Sequence, residues 1–159
     1  MNRDNFQVQK AKKVNIDSIQ YFLEENKLRP KISIDKNSIY FFVQSGEVII
    51  GTIGAEINQR YALIKSAGVS MDWRRKGIAQ NLFEILLDEL KSVGVEHMYL
   101  FSRQAPEFWT KMGFTKCEIQ EVTKVLSETN QVKEFIEDNS IWTDVAWYRA
   151  IAKKNDETG

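Results

Sequence analysis

The chain predicts a mixed α/β fold, in the α+β manner, with a central twisted sheet flanked by helices. Three observations carry this: β-rich runs alternate with amphipathic ones, the longest helical pattern lies between two β-rich runs, and no repeat or composition break divides the sequence. With 159 residues, 43% of them hydrophobic and 28% charged, the chain is large enough for one domain to bury a full core without staples. The expectation is a single domain over 1–152 and a polar tail over 153–159.

Phe6–Lys10 alternates as a first short strand. Ile16, Ile19, Phe22 and Leu23 then share one helical face, with Asn15 or Asp17 as cap, and Arg29-Pro30 closes the unit. Ile39–Gln44 and Glu47–Ile57 read as strands joined at Ser45-Gly46, and Ala62–Val69 as another strand after an Asn58–Arg60 turn. From Gly77 onward Ile78, Leu82, Ile85, Leu86, Leu90 and Val93 fall on one face of a helix that Gly94 ends. His97–Phe101 follows as a short buried strand, Ala105–Met112 as a helix stopped by Gly113, and Phe114–Val125 as a strand region. Ser127–Glu137 is helical, started by Ser127 and Glu128, and Val145–Ile151 alternates as a last strand.

With 22 basic and 22 acidic residues the formal charge is zero, so no global field draws nucleic acid or an anionic membrane to the chain. Even the most apolar helix carries Glu84, Asp88 and Glu89, far from the roughly 18–20 apolar residues of a membrane span. Cys117 has no second cysteine to bridge, and Met1–Lys13 lacks the apolar run of a signal peptide, so a reducing cytoplasm is the expected compartment.

Trp73-Arg74-Arg75-Lys76-Gly77-Ile78-Ala79 carries the chemistry. A strand leading into a helix start with three cations and two small residues places free N–H groups, side-chain charge and a positive dipole end at one spot, which is an anion site. Gly77 and Ala79 let a pyrophosphate approach the backbone. One strand later comes Ala105-Pro106-Glu107-Phe108-Trp109-Thr110-Lys111-Met112-Gly113-Phe114.

These two segments resemble the acetyl-CoA-binding core of the GNAT N-acetyltransferases, whose first signature is Arg/Gln-x-x-Gly-x-Gly/Ala and whose second ends in a Phe-Tyr-x-Lys-x-Gly-Phe-like run. The resemblance spans about residues 6–126. It implies a V-shaped splay between Ala62–Val69 and His97–Phe101, with main chain near Val69 and Met71 holding pantetheine. The amides of Arg75, Lys76, Gly77, Ile78 and Ala79 would hold pyrophosphate, with Arg74 adding charge and Phe108 and Trp109 lining the donor site. The donor is then acetyl-CoA, the acceptor a primary amine of a small molecule, and no metal is needed. Dimers are common in that family, so a homodimer is an expectation.

Amide formation needs a base to take a proton from the amine, and the thiolate benefits from an acid. Where many members have a tyrosine acid this chain has Trp109, and indole has no proton to give. Tyr99 and Ser102 are the substitutes nearest in sequence, and protonation by water is the other route. Glu56, near the end of its strand, is the candidate base. The second aromatic and the Lys65–Val69 run are similar to the amino-acid acetyltransferases of N-acetylglutamate-synthase type and the arsenic-resistance-associated enzymes, which implies an amino acid or related zwitterion whose carboxylate Lys65 or Arg103 would pair.

His97, alone among possible ligands, reads as a strand-start residue and Cys117 as a small hydrophobe. Trp142, Trp147, Tyr148, Phe41 and Phe42 read as core or contact aromatics, with an acceptor pocket as the alternative for the first three. Two other functions stay open at this point: acetylation of a protein or peptide, and a catalytically silent acyl-CoA-binding regulatory module. Binding of nucleic acid through Arg74–Lys76 is disfavoured, because three cations without a basic face give little affinity.

Overall fold

The computed structural model describes residues 6–152; the polar tail expected over 153–159 lies outside the described residues. The strands are β1 (Val8–Lys10), β2 (Ser38–Ser45), β3 (Val48–Asn58), β4 (Tyr61–Val69), β5 (His97–Phe101), β6 (Thr115–Cys117) and β7 (Ala146–Ala150). The helices are α1 (Ile16–Glu25), α2 (Ile78–Ser92), α3 (Pro106–Lys111), α4 (Ile119–Leu126) and α5 (Asn130–Glu137). The sheet is mixed, in the order β1-β2-β3-β4-β5-β7-β6, so the α/β expectation holds. No helix among the described residues is long and apolar enough to cross a membrane.

The residues fall into two compact units: the chain up to Ala55 with Ser66–Glu89, and Glu56–Lys65 with the chain from Leu90 onward. In the first, α1 lays Ile19, Phe22 and Leu23 against Tyr40 and Phe42 of β2 and Ile49 of β3. Helix α2 comes as near to β3 as a glycine allows. A Cβ on Gly51 would stand 3.0 Å from Ile78 Cγ2 and 3.2 Å from Leu82 Cδ1, and one on Gly54 would collide with the ring of buried Tyr40. Asn15 stands at the N-cap position of α1 but makes no side-chain bond to the helix; its side-chain oxygen instead accepts from the Lys12 N–H at 2.8 Å.

In the second unit β4 and β5 run parallel, paired from Tyr61–His97 to Ile64–Leu100, and β4 itself continues to Val69. Strand β7 lies antiparallel between β5 and β6. Leu63, Tyr99 and Ala146 on one sheet face meet Val122 and Leu126 of α4, Val132 and Phe135 of α5, and Ile141. Gly94, at φ +90°, ends α2 as expected, its N–H donating to Lys91 and that of Val95 to Leu90.

Three expectations are corrected. Phe114–Val125 is only briefly a strand, since after Cys117 the chain turns into α4. Its β-branched residues favoured a strand, but Ile119, Val122 and Leu126 recur at helical spacing, and the burial of Val122 and Leu126 decides the outcome. Helix α5 starts after Thr129, whose hydroxyl accepts from the Val132 N–H at 3.4 Å and donates to the Leu126 carbonyl at 2.7 Å; Ser127 and Glu128 belong to the turn before it. Val93 lies beyond the last helical residue and is 51% exposed, not part of the buried face.

Candidate active site

The loop before α2 is shaped by its backbone. Arg75 stands at φ +65° and Gly77 at φ +82°, while Arg74 and Lys76 between and before them do not. Extended Arg74 followed by the positive φ of Arg75 and Gly77 makes a tight turn directly before the first residues of α2. Gly77 accepts the first helical bond from the Asn81 N–H at 3.0 Å, so the N–H groups of Ile78, Ala79 and Gln80 have no acceptor within the helix. A Cβ at Gly77 would have no protein atom within 4 Å, so the space before this loop is open.

The side chains divide two tasks. Arg74 Nε donates to the Val69 carbonyl at 3.1 Å, bracing the loop on the end of β4. Arg75 and Lys76 are exposed and pair with no described acidic group. Trp73 packs edge-on against Phe6, with centroids 5.9 Å apart. Ser70 donates its N–H to Ile50 at 2.8 Å, so Val69, facing the other way along the strand, turns its own N–H away from β3. Met71 is 76% exposed beside it. An open concavity of amides with two unpaired cations fits the pyrophosphate of a CoA thioester.

Glu56 and Lys65 are neither exposed nor separate. Both side chains are buried, with relative exposures of 5% and 6%, and Lys65 Nζ donates to Glu56 Oε1 at 3.1 Å. The second oxygen, Oε2, is buried and has no partner among the described residues. Lys65 therefore meets a carboxylate of this chain. Just after it Ser66 stands at φ +56° inside β4, a left-handed residue of the kind that marks a bulge, and its carbonyl accepts from Thr52 Oγ1 at 2.7 Å. No residue in the sequence signals that left-handed backbone.

The acid candidates are occupied otherwise. Trp109 is buried, edge-on to Phe108 and Phe114. Ser102 donates its hydroxyl to the Gln104 carbonyl at 2.6 Å, and its own carbonyl accepts from Trp147 Nε1 at 2.9 Å. Arg103 is exposed in the loop before α3. Tyr99 is buried on β5, its ring tilted against Tyr148; burial first, and then the charges of Glu121, Tyr148, Cys117 and Tyr61, push its phenol up to about 12. A proton held that tightly is given up reluctantly to a thiolate, whose conjugate acid lies near 8.5.

The same shift fixes a stability trend. The folded protein holds the Tyr99 proton more tightly than the unfolded chain, where a tyrosine titrates near 10.0, so Tyr99 contributes stability that is intact below pH 10.0 and lost as the pH rises toward about 12. Tyr99→Phe is expected to flatten the fall of melting temperature between those limits. An unchanged alkaline slope would remove this account.

Elsewhere, His97 Nδ1 lies 2.7 Å from the Tyr148 hydroxyl, its ring stacked between those of Tyr61 and Tyr148. Trp147, Phe41 and Phe42 are core, Cys117 is half-buried, and Trp142 is 56% exposed. No group of three or more His, Cys, Asp or Glu suited to a metal occurs among the described residues.

Comparison with solved structures gives the same fold at low identity. A GNAT-family acetyltransferase from Staphylococcus aureus Mu50 is 14% identical with a TM-score of 0.69, over 92% of this chain and 99% of that one. N-acetylglutamate synthase from Neisseria gonorrhoeae, complexed with coenzyme A and N-acetyl-glutamate, is 14% identical with a TM-score of 0.68, over 92% of this chain but only 36% of its own. The ribosomal-protein-S18-alanine N-acetyltransferase of Escherichia coli is 15% identical with a TM-score of 0.60, over 70% of this chain and 79% of that one. No curated protein matches the sequence. The family described as Acetyltransferase (GNAT) matches residues 6–114, more than half of the chain. On that match this chain belongs to the GNAT acetyltransferase family, and its class of reaction is acyl-CoA-dependent N-acetylation.

Proposed function

We propose that the protein transfers the acetyl group of acetyl-CoA to a primary amine on a small molecule, such as an amino acid or related zwitterion, in a reducing cytoplasm. The observation that carries the reading is Glu56, a buried carboxylate with one oxygen paired to Lys65 and the other without a partner among the described residues. Such an oxygen suits an N–H donor on a slender molecule. A folded protein surface reaches it less readily.

Acetyl-CoA supplies the acetyl group as a thioester, held by the amides of Arg75–Ala79 with Arg75 and Lys76 balancing its phosphates. The N–H of Val69 would stabilise charge on the thioester carbonyl oxygen. Glu56 accepts a proton from the acceptor amine, whose nitrogen then bonds to the acetyl carbon as the C–S bond breaks. The thiolate takes its proton from water, which its pKa near 8.5 permits without a dedicated acid.

A catalytically silent reading draws support from Trp109, Tyr99 and Ser102, none of which is set to give a proton. One screen separates these readings: CoA-thiol release from acetyl-CoA with amino acids, polyamines, aminoglycosides and peptides. Turnover with a small amine is expected. Turnover with peptides alone overturns the small-acceptor reading, and tight CoA binding without turnover leaves the silent module.

A further inference from the structure

The Glu56–Lys65 pair carries a second role, which rests on the reading of Glu56 as base. We propose that Lys65 is a positioning residue: it holds the Glu56 carboxylate by Oε1 so that Oε2 meets the acceptor nitrogen.

The reasons are physical. Burying a charge is costly unless it is paired, and each partner here supplies the other's counter-charge. Replacing such a pair with apolar residues often costs nothing or stabilises, so a buried pair is poor evidence of a purely stabilising role. Pairing also leaves the carboxylate incomplete, because Lys65 satisfies Oε1 alone and Oε2 stays buried and unpartnered among the described residues. Leaving a buried acceptor unsatisfied has a cost, which an arriving N–H donor would relieve.

Local structure also fixes Lys65. Side chains alternate along β4, so Lys65 lies on the face of Tyr61 and Leu63, where Tyr99 of β5 also points. The next residue is the left-handed Ser66, whose carbonyl Thr52 holds. That hydrogen bond holds the backbone directly after Lys65. The proton path balances without Lys65 changing state: one proton passes from the acceptor amine to Oε2 and later to solvent, while Lys65 remains an ammonium.

The test uses acetyl-CoA consumption with hydroxylamine, a small reactive nucleophile, as acceptor. Lys65→Met is expected to lower kcat by at least about 30-fold with KM for acetyl-CoA unchanged, and Lys65→Arg to recover most of it. Lys65→Met added to Glu56→Gln should cost less than about threefold more, because Lys65 acts through the carboxylate. The double variant is neutral at both positions, so it stays informative if Lys65→Met alone folds poorly.

Further large loss in the double variant, or no recovery with Lys65→Arg, overturns the positioning role while leaving Glu56 as base. A Glu56→Gln loss under tenfold, or no acceleration by the wild-type protein, overturns both.

Discussion

Gly77→Glu is expected to abolish the rise in melting temperature that CoA gives, with affinity falling by on the order of 100-fold or more. The protein itself offers the new side chain room, since no atom lies within 4 Å of where its Cβ would stand. What it occupies is the space in front of the amides that open α2. Loss of one or two hydrogen bonds to a charged ligand, each worth about 1.5–3 kcal/mol, accounts for that factor before repulsion between carboxylate and phosphate is added. Backbone strain is the competing explanation, because a side chain at φ +82° costs roughly 1–2 kcal/mol. Gly77→Asn separates the two, since asparagine tolerates left-handed backbone and brings no charge. If Gly77→Glu melts like Gly77→Asn and still binds CoA as the wild type does, the donor site lies elsewhere.

Glu56→Gln is expected to lower kcat by about 10²–10⁴-fold, the usual contribution of a positioned base, with KM for acetyl-CoA little changed. The split follows from role: the proposed donor cradle is the loop and helix start over residues 74–79, and Glu56 is a residue of β3. An amide keeps an oxygen for the Lys65 ammonium, so the variant should fold, with a lower melting temperature from a buried charge now unbalanced. A loss in kcat matched by the fall in folded fraction would make Glu56 a structural residue.

The proposed donor site was the more legible part of the molecule because its chemistry is local. Arg74, Gly77 and Ala79 are close in sequence, and a helix start exposes amides whatever surrounds it. The left-handed Arg75 in that turn had no signal, since arginine rarely takes that conformation. The Glu56–Lys65 pair was legible only in pieces. Both residues stood out singly, and a two-residue turn at Gln59-Arg60 puts Lys65 diagonal to Glu56 across the hairpin, within reach of long side chains. Their burial follows from packing, which no single strand reveals. Helix α4 was missed because residue type and spacing disagreed there, and spacing won through the burial of Val122 and Leu126.

The placement of β7 also sets an order of assembly during synthesis. Strand β6 joins the sheet only through β7, so Thr115–Cys117 waits for pairing partners roughly thirty residues downstream, several seconds at ribosomal speed of about 5–20 residues per second. The loop before α2 and the start of that helix need no such wait. On a growing chain the local cradle is complete while the far edge of the sheet is still exposed, and the interval before β7 emerges is when the nascent protein most needs protection from aggregation.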